Sequence, residues 1–169
     1  MRVTSAEAAK ILKKLNEEHT FLLSIETQSR EFLAAMGEDV ESVRPAYDYT
    51  ETQVRLDKLE KDIRTIRHAI NVFNLTHEVP GFGMTVDQML VYLPQLTARR
   101  NKLYLMKNRL PKVRETASGF GTNKLIDYNY ANYDIAQAEK DCTETETLLA
   151  KAQTALDLLN TTEMMEIDL

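Results

Sequence analysis

The side chains that could carry out chemistry are few and lie far apart in the sequence. His19, His68 and His77 each lack a second His, Cys or Glu at the spacing of three or four residues that places two metal ligands on one helix face. Cys142 is the sole cysteine, and its place on an apolar helical stripe indicates a buried thiol rather than a reactive one. We therefore expect no metal site and no cofactor.

Motifs of known enzymes are also missing from the sequence. No GxGxxG, GxxxxGK[ST], GxSxG or CxxC motif occurs, and the Gly-Phe-Gly segments at 81–83 and 119–121 have the composition of turns. Carboxylate pairs such as Glu144 and Glu146 lie on solvated helix faces with no nucleophile nearby in sequence. The sequence therefore predicts a protein without catalytic residues.

A basic cluster could bind an anion or a nucleic-acid backbone. Its members lie on the third predicted helix and its exit: Arg99, Arg100, Lys102, Lys107, Arg109, Lys112 and Arg114. The net charge of −5, from 26 acidic and 21 basic residues, disfavours non-specific binding to nucleic acid. We favour the alternative that the cluster pairs with the Glu- and Asp-rich helices beside it.

Four apolar seams at alternating steps of three and four residues must position these side chains. The second seam runs through Leu56, Leu59, Ile63, Ile66, Ile70 and Phe73. The composition, with 28% charged and 7% aromatic residues, is typical of a helical protein. We predict an all-α single domain over residues 1–169, made of long antiparallel helical hairpins or a four-helix coiled-coil-like bundle.

The ends of the helices follow from capping residues and glycines. Thr4 with Glu7 begins a first helix that reaches Met36, and a second helix runs from Thr50 to Thr76. Thr85 begins the third helix, which should pack antiparallel against the second, with a kink or break at Pro94. The last helix runs from about residue 132 to residue 160.

The segments between and after the helices carry two further patterns. Ile126, Tyr128 and Tyr130 alternate with polar residues, which indicates a strand that could pair with residues 47–49 in a short two-stranded ribbon. The tail from residue 161 to residue 169 is acidic but carries four apolar residues, Met164, Met165, Ile167 and Leu169, so we expect it to dock on its own chain or on another subunit. No apolar run approaches the about 20 residues of a membrane span, and the N-terminal segment is charged, so we expect a cytoplasmic protein.

The chain resembles a family of small helical bacterial proteins, some of which carry the name septicolysin. The resemblance covers residues 51–169 and rests on the segments 70–74, 84–90 and 154–163 together with Arg99 and Arg100. It singles out Asn71 and Asn74 as candidate structural or interaction residues. It implies a fold and no catalytic residues, while the haemolysin-type name implies pore formation.

Two charges stand on seams where apolar residues belong. Glu18 lies between Leu15 and Leu22, and Arg100 lies between Leu96 and Leu103. An unpaired buried charge costs several kcal/mol, so we hypothesise that Glu18 and Arg100 pair with each other, the rival being an anion site at Arg99 and Arg100.

The wide apolar face of the third helix, with Leu90, Val91 and Tyr92 beside its seam, predicts the mode of action. We expect a non-enzymatic bundle that acts through self-association, as a homo-oligomer, or through docking of a protein partner along its helices. A membrane-active toxin, a nucleic-acid-associated accessory protein and an enzyme of unrecognised type are the alternatives.

Overall fold

The protein is mostly helical, as the seams predict, and carries three short two-stranded ribbons within the described residues. The computed structural model describes residues 1–115 and 127–169. In chain order the elements are β1 (Arg2–Thr4), α1 (Ser5–Ser29), α2 (Val40–Val43), α3 (Tyr49–Thr76), β2 (Glu78–Val79), β3 (Met84–Thr85), α4 (Val86–Lys107), β4 (Lys112–Arg114), β5 (Tyr128–Tyr130), α5 (Ile135–Thr162) and β6 (Met164–Glu166). Residues 1–77 with 158–169 form one compact unit, and residues 78–157 form a second. The expected single domain stays a prediction.

In the first unit α1 packs along α3. Leu22, Leu56 and Leu59 form a buried cluster between them, with Leu15 packed against it. Near the loop end, the Glu26 carboxylate accepts hydrogen bonds from the Tyr47 hydroxyl at 2.9 Å and from Gln53 Nε2 at 2.7 Å. Burial, and then the hydrogen bond to Glu26, raise the pKa of Tyr47 above its usual value.

The predicted hairpin of helices two and three stays a prediction. The second helix, α3, packs on α1 in the first unit, and the third helix, α4, belongs to the second unit. The short connection at residues 77–85 holds its own ribbon, in which β2 pairs with β3. Gly81 and Gly83 have φ angles of +80° and +60°, the left-handed region that glycine tolerates, so the predicted turn is confirmed.

The predicted end of the first helix was also wrong, because α1 stops at Ser29 rather than Met36. Leu33 and Met36 are almost fully exposed, while Phe32 is half-buried with the Arg44 guanidinium 5.3 Å from its ring centroid. A helix in water draws most of its stability from a packed face, and two of these three apolar side chains stay exposed. The chain instead crosses to α3 through the four-residue helix α2.

The apolar tail docks on its own chain, which confirms one of the two expected outcomes. β6 pairs antiparallel with β1, with Val3 opposite Met165. Met165 and Ile167 are buried, and the Ile167 backbone N–H donates to the Met1 carbonyl at 2.8 Å. The alternation of buried and exposed residues in the tail is the period of a strand with one covered face.

In the second unit the predicted strand at residues 128–130 is confirmed, but its predicted partner was wrong. β5 pairs with β4, placing Lys112 opposite Tyr130. The expected partner segment cannot serve, since Tyr49 is the first residue of α3 and its backbone is helical. Ile126 and the break predicted at residues 118–121 lie outside the described residues.

Thr4 and Glu7 form the predicted capping box at the start of α1. The Glu7 N–H donates to Thr4 Oγ1 at 3.2 Å, and the Thr4 N–H donates to Glu7 Oε2 at 2.9 Å. That backbone hydrogen bond holds the pKa of Glu7 below its ordinary value. A carboxyl group whose pKa is lowered by folding stabilises the fold above its unfolded pKa and loses this effect as the pH falls through its folded pKa.

Replacing Thr4 by alanine is expected to lower the free energy of unfolding by about 1 kcal/mol at neutral pH. The loss should shrink in acid, where Glu7 is protonated in both proteins. Urea unfolding followed by circular dichroism at both pH values measures it. Thr20→Ala, an exposed threonine inside α1, is the matched control and should leave the stability equal or higher. Equal losses for the two variants would contradict the capping role.

Candidate interaction surface

α4 is a continuous helix with one buried face. The Gln88 N–H donates to Thr85 Oγ1 at 3.3 Å and the Thr85 N–H donates to Gln88 Oε1 at 3.0 Å, which confirms the predicted cap. Four apolar side chains of the helix are buried: Val86, Met89, Leu96 and Leu103. The helix runs on through Pro94 to Lys107, so the alternative of two separate helices was wrong.

The opposite side of α4 carries an exposed, uncharged stripe, which we call the α4 outer face. It comprises Leu90, Val91, Pro94, Ala98, Asn101 and Leu105, all of them exposed. Leu90, Val91 and Leu105 keep 48%, 60% and 73% of their surface in contact with solvent. Single exposed apolar residues are common on proteins, whereas a continuous helical stripe of them marks an interaction surface.

The spacing along the α4 outer face is that of a coiled-coil seam. Val91, Ala98 and Leu105 follow one another at seven-residue steps, and Pro94 and Asn101 occupy the intermediate position of the same repeat. From Leu90 to Leu105 the stripe is about 22 Å long at 1.5 Å per residue. Leu90 and Val91 were expected on an apolar face, but the repeat was not, because the buried seam of the same helix dominates the sequence pattern.

The hypothesised Glu18–Arg100 pair stays a prediction, and Glu18 has a partner inside its own unit. Arg55 Nη2 of α3 lies 3.5 Å from Glu18 Oε1, inside the same unit. The Glu18 side chain keeps 42% of its surface exposed, so it is not the buried charge that the seam position suggested. A charge at the edge of a helix pair can reach solvent while its stem covers the seam.

Arg100 is half-buried on α4, and its neighbour Arg99 is exposed. Within the described residues of the second unit, 78–115 and 127–157, neither guanidinium lies within 4.0 Å of a carboxylate. The same holds for the other five members of the basic cluster, so the expected pairing is not formed with the acidic residues described in this unit, and pairing with the first predicted helix stays a prediction. Lys112 Nζ instead lies over the Tyr128 ring, 4.0 Å from its centroid.

A second candidate site is a groove in the first unit, between α3 and β6. Its volume is about 360 Å³, near the lower end for small-molecule sites. It is lined by Thr65, His68, Ala69, Val72, Phe73, Thr76, His77, Met165, Glu166, Ile167 and Asp168. No local sequence pattern indicates this groove, because the tail forms one of its walls only after β6 pairs with β1. Asn71, which is exposed, and Asn74, which is half-buried, lie on α3 outside the lining.

His77 is the one ring in this groove whose orientation the contacts fix. It stacks on Phe73 with ring centroids 3.9 Å apart, and its Nδ1 lies 3.0 Å from the Phe73 carbonyl oxygen. A carbonyl oxygen only accepts, so Nδ1 carries the proton and Nε2 of the neutral ring keeps its lone pair. The Thr76 hydroxyl, 3.2 Å from the same Nδ1, donates to the Val72 carbonyl. This arrangement lacks the hydrogen bond by which a base activates a hydroxyl nucleophile.

Metal-binding side chains do not converge in the part of the chain that the structure describes, since no three His, Cys, Asp or Glu residues there are grouped to hold an ion. Cys142 is fully buried on α5, and its thiol lies 3.7 Å from Glu146 Oε1. In the same described residues no helix is long and apolar enough to cross a membrane.

Comparisons with known proteins indicate a fold and no family. No protein-family model matches the chain, and no curated protein matches it. A functionally unknown conserved protein from Corynebacterium diphtheriae, known from a crystal structure, is similar over its whole length. The alignment has a TM-score of 0.64 and 17% sequence identity, and it covers 98% of this chain and 100% of the other. The chain therefore shares the fold of that bacterial protein.

Proposed function

We propose that this is a non-enzymatic, cytoplasmic helical protein that acts through self-association along the α4 outer face, with docking of another protein on the same face as the alternative. The observation that carries the proposal is the exposed seven-residue repeat of Val91, Ala98 and Leu105. A helix that packs on a single neighbour needs only one apolar side. α4 is apolar on two opposite sides, so its exposed apolar side is available for another partner. Membership of the septicolysin-named family is part of this proposal, supported by the mostly helical fold.

Replacing Leu105 by glutamate is expected to dissociate the assembly, because a charge in the repeat must be desolvated when the faces meet. Light scattering after size exclusion, from about 1 to 100 µM protein, measures the mass over the range in which a small interface dissociates. The native chain should exceed the monomer mass at the upper end, and Leu105→Glu should remain monomeric.

Leu75→Glu is the matched control, since Leu75 is a leucine of α3 with 62% of its surface exposed, against 73% for Leu105. It should associate like the native chain. A monomeric mass for the native protein at about 100 µM would reject self-association, and loss of assembly in both variants would show that the effect is not specific to α4.

The exposed basic cluster favours a nucleic-acid-associated role as a second candidate. Five of its seven members are exposed, and two exposed tyrosines, Tyr128 and Tyr130, lie opposite Arg114 and Lys112 on the β4–β5 ribbon. Cations beside exposed aromatic rings are typical of surfaces that bind single strands. Anisotropy of labelled single-stranded DNA should then show affinity that falls steeply between about 50 and 200 mM salt. No binding at the lower salt concentration would reject this candidate.

A further inference from the structure

The α4 outer face is symmetric about Ala98. Val91 lies seven residues before Ala98 and Leu105 lies seven residues after it. When two such helices pack antiparallel about a twofold axis at Ala98, each Val91 meets Leu105 of the other copy, and the two Ala98 residues face each other at the axis. Alanine at the crossing point lets the two backbones approach closely, because its side chain is a single methyl group.

Two charges at the ends of the stripe have the same symmetry. Asp87, in the first turn of α4, lies eleven residues before Ala98, and Arg109, two residues beyond the last residue of α4, lies eleven residues after it; both are exposed. Within the described ranges neither lies within 4.0 Å of an opposite charge. Antiparallel packing places Asp87 of each copy beside Arg109 of the other. Parallel packing would instead place like charges together at both ends, which opposes association.

We propose, on the basis of the self-association proposed above, that the occupant of the α4 outer face is α4 of a second copy, packed antiparallel about a twofold axis at Ala98. The contact is isologous, so it closes at a dimer. A pair of helices of this length buries less than the about 1,600 Å² of a standard interface, so the dimer should dissociate in the micromolar range.

Cysteine cross-linking distinguishes the two helix directions. A disulfide needs Cα atoms within about 7 Å, and in the antiparallel dimer the two Val91 positions are about 21 Å apart along the axis. Val91→Cys and Leu105→Cys proteins should therefore each stay uncross-linked alone and form a mixed disulfide when combined. Ala98→Cys should cross-link with itself. Native Cys142 is fully buried and does not compete.

Gln95→Cys is the baseline for random collision, because Gln95 is exposed on α4 and lies off the stripe. The mixed disulfide should exceed this baseline by at least about tenfold, given the distance requirement for a disulfide. Self-cross-linking of Val91→Cys and of Leu105→Cys would establish parallel packing and overturn the proposal. Cross-linking of every variant at the level of Gln95→Cys would overturn it as well.

Charge reversal gives an independent test, because Asp87, near the start of α4, and Arg109, just past its end, are separated in one chain by about 30 Å of helix and cannot interact directly. Asp87→Arg and Arg109→Asp should each raise the dimer dissociation constant by about tenfold, since the twofold axis repeats each unfavourable pair. The double variant should return to within about threefold of the native value. Circular dichroism of each variant checks that the monomer stays folded.

The results separate this geometry from the broader proposal. A dimer whose dissociation constant none of the charge variants changes would overturn the antiparallel α4 contact and leave self-association standing. Additive losses in the double variant would overturn the geometry in the same way. A native chain that is monomeric at about 100 µM would reject the geometry and self-association together.

Discussion

Replacing Phe73 by alanine is expected to lower the free energy of unfolding by about 3–5 kcal/mol, because it removes a buried ring and leaves a cavity. Phe73 keeps 2% of its surface exposed and is among the largest fully buried side chains of the described residues. The substitution also removes the ring on which His77 stacks. Both contacts lie at the end of α3 that meets the tail, so the loss in free energy of unfolding should occur in the first unit.

Urea unfolding followed by circular dichroism measures this change as a shift of the midpoint. Val72→Ala is the matched control, since Val72 is the preceding residue of α3 and keeps 45% of its surface exposed. It should cost less than about 1 kcal/mol, because substitutions of exposed residues have small effects. Similar costs for the two variants would contradict the packing described for the end of α3.

Replacing Ile167 by alanine is expected to cost about 2–5 kcal/mol, the range for truncating a buried aliphatic side chain. Ile167 keeps 2% of its surface exposed, in the tail that the sequence predicts to dock. Its side chain lines the α3–β6 groove, and its backbone N–H bonds to the Met1 carbonyl. The substitution therefore tests whether the tail is part of the core of the first unit.

The control for the tail is Leu169→Ala, two residues further on, where 57% of the side chain is exposed. We expect it to change the free energy of unfolding by less than about 0.5 kcal/mol. Hydrogen exchange of the Ile167 amide adds a second readout, because an amide held in the β1–β6 ribbon should be protected. Rapid exchange at Ile167, together with equal stability of the two variants, would show that the tail is not docked.

The features of the sequence that predicted structure correctly are local ones. Thr4 and Glu7 cap α1, and Gly81 makes its turn, because each of these arrangements involves residues within about three positions of one another. The helical periods are equally local. They predicted the number and type of the long helices and the apolar face of each, although α1 ends at Ser29 rather than at Met36.

The choice of partners followed from contacts that no local pattern encodes. All four seams have the same period and similar apolar residues, so each could pack on any other, and no local pattern indicates that α3 packs on α1. The Leu22 contact with Leu56 joins positions far apart in the chain. The same is true of the Glu18–Arg55 ion pair, which no local pattern indicates.

The sequence alone is sufficient to predict a mostly helical protein with capped helices, a turn at Gly81 and an apolar tail able to dock. Tertiary structure decided that α1 and α3 pack together, that Met165 pairs with Val3, and that the tail closes a groove. It also decided which apolar face of α4 stays exposed. The physical reason is that burial is a property of pairs of surfaces, whereas period and capping are properties of one segment.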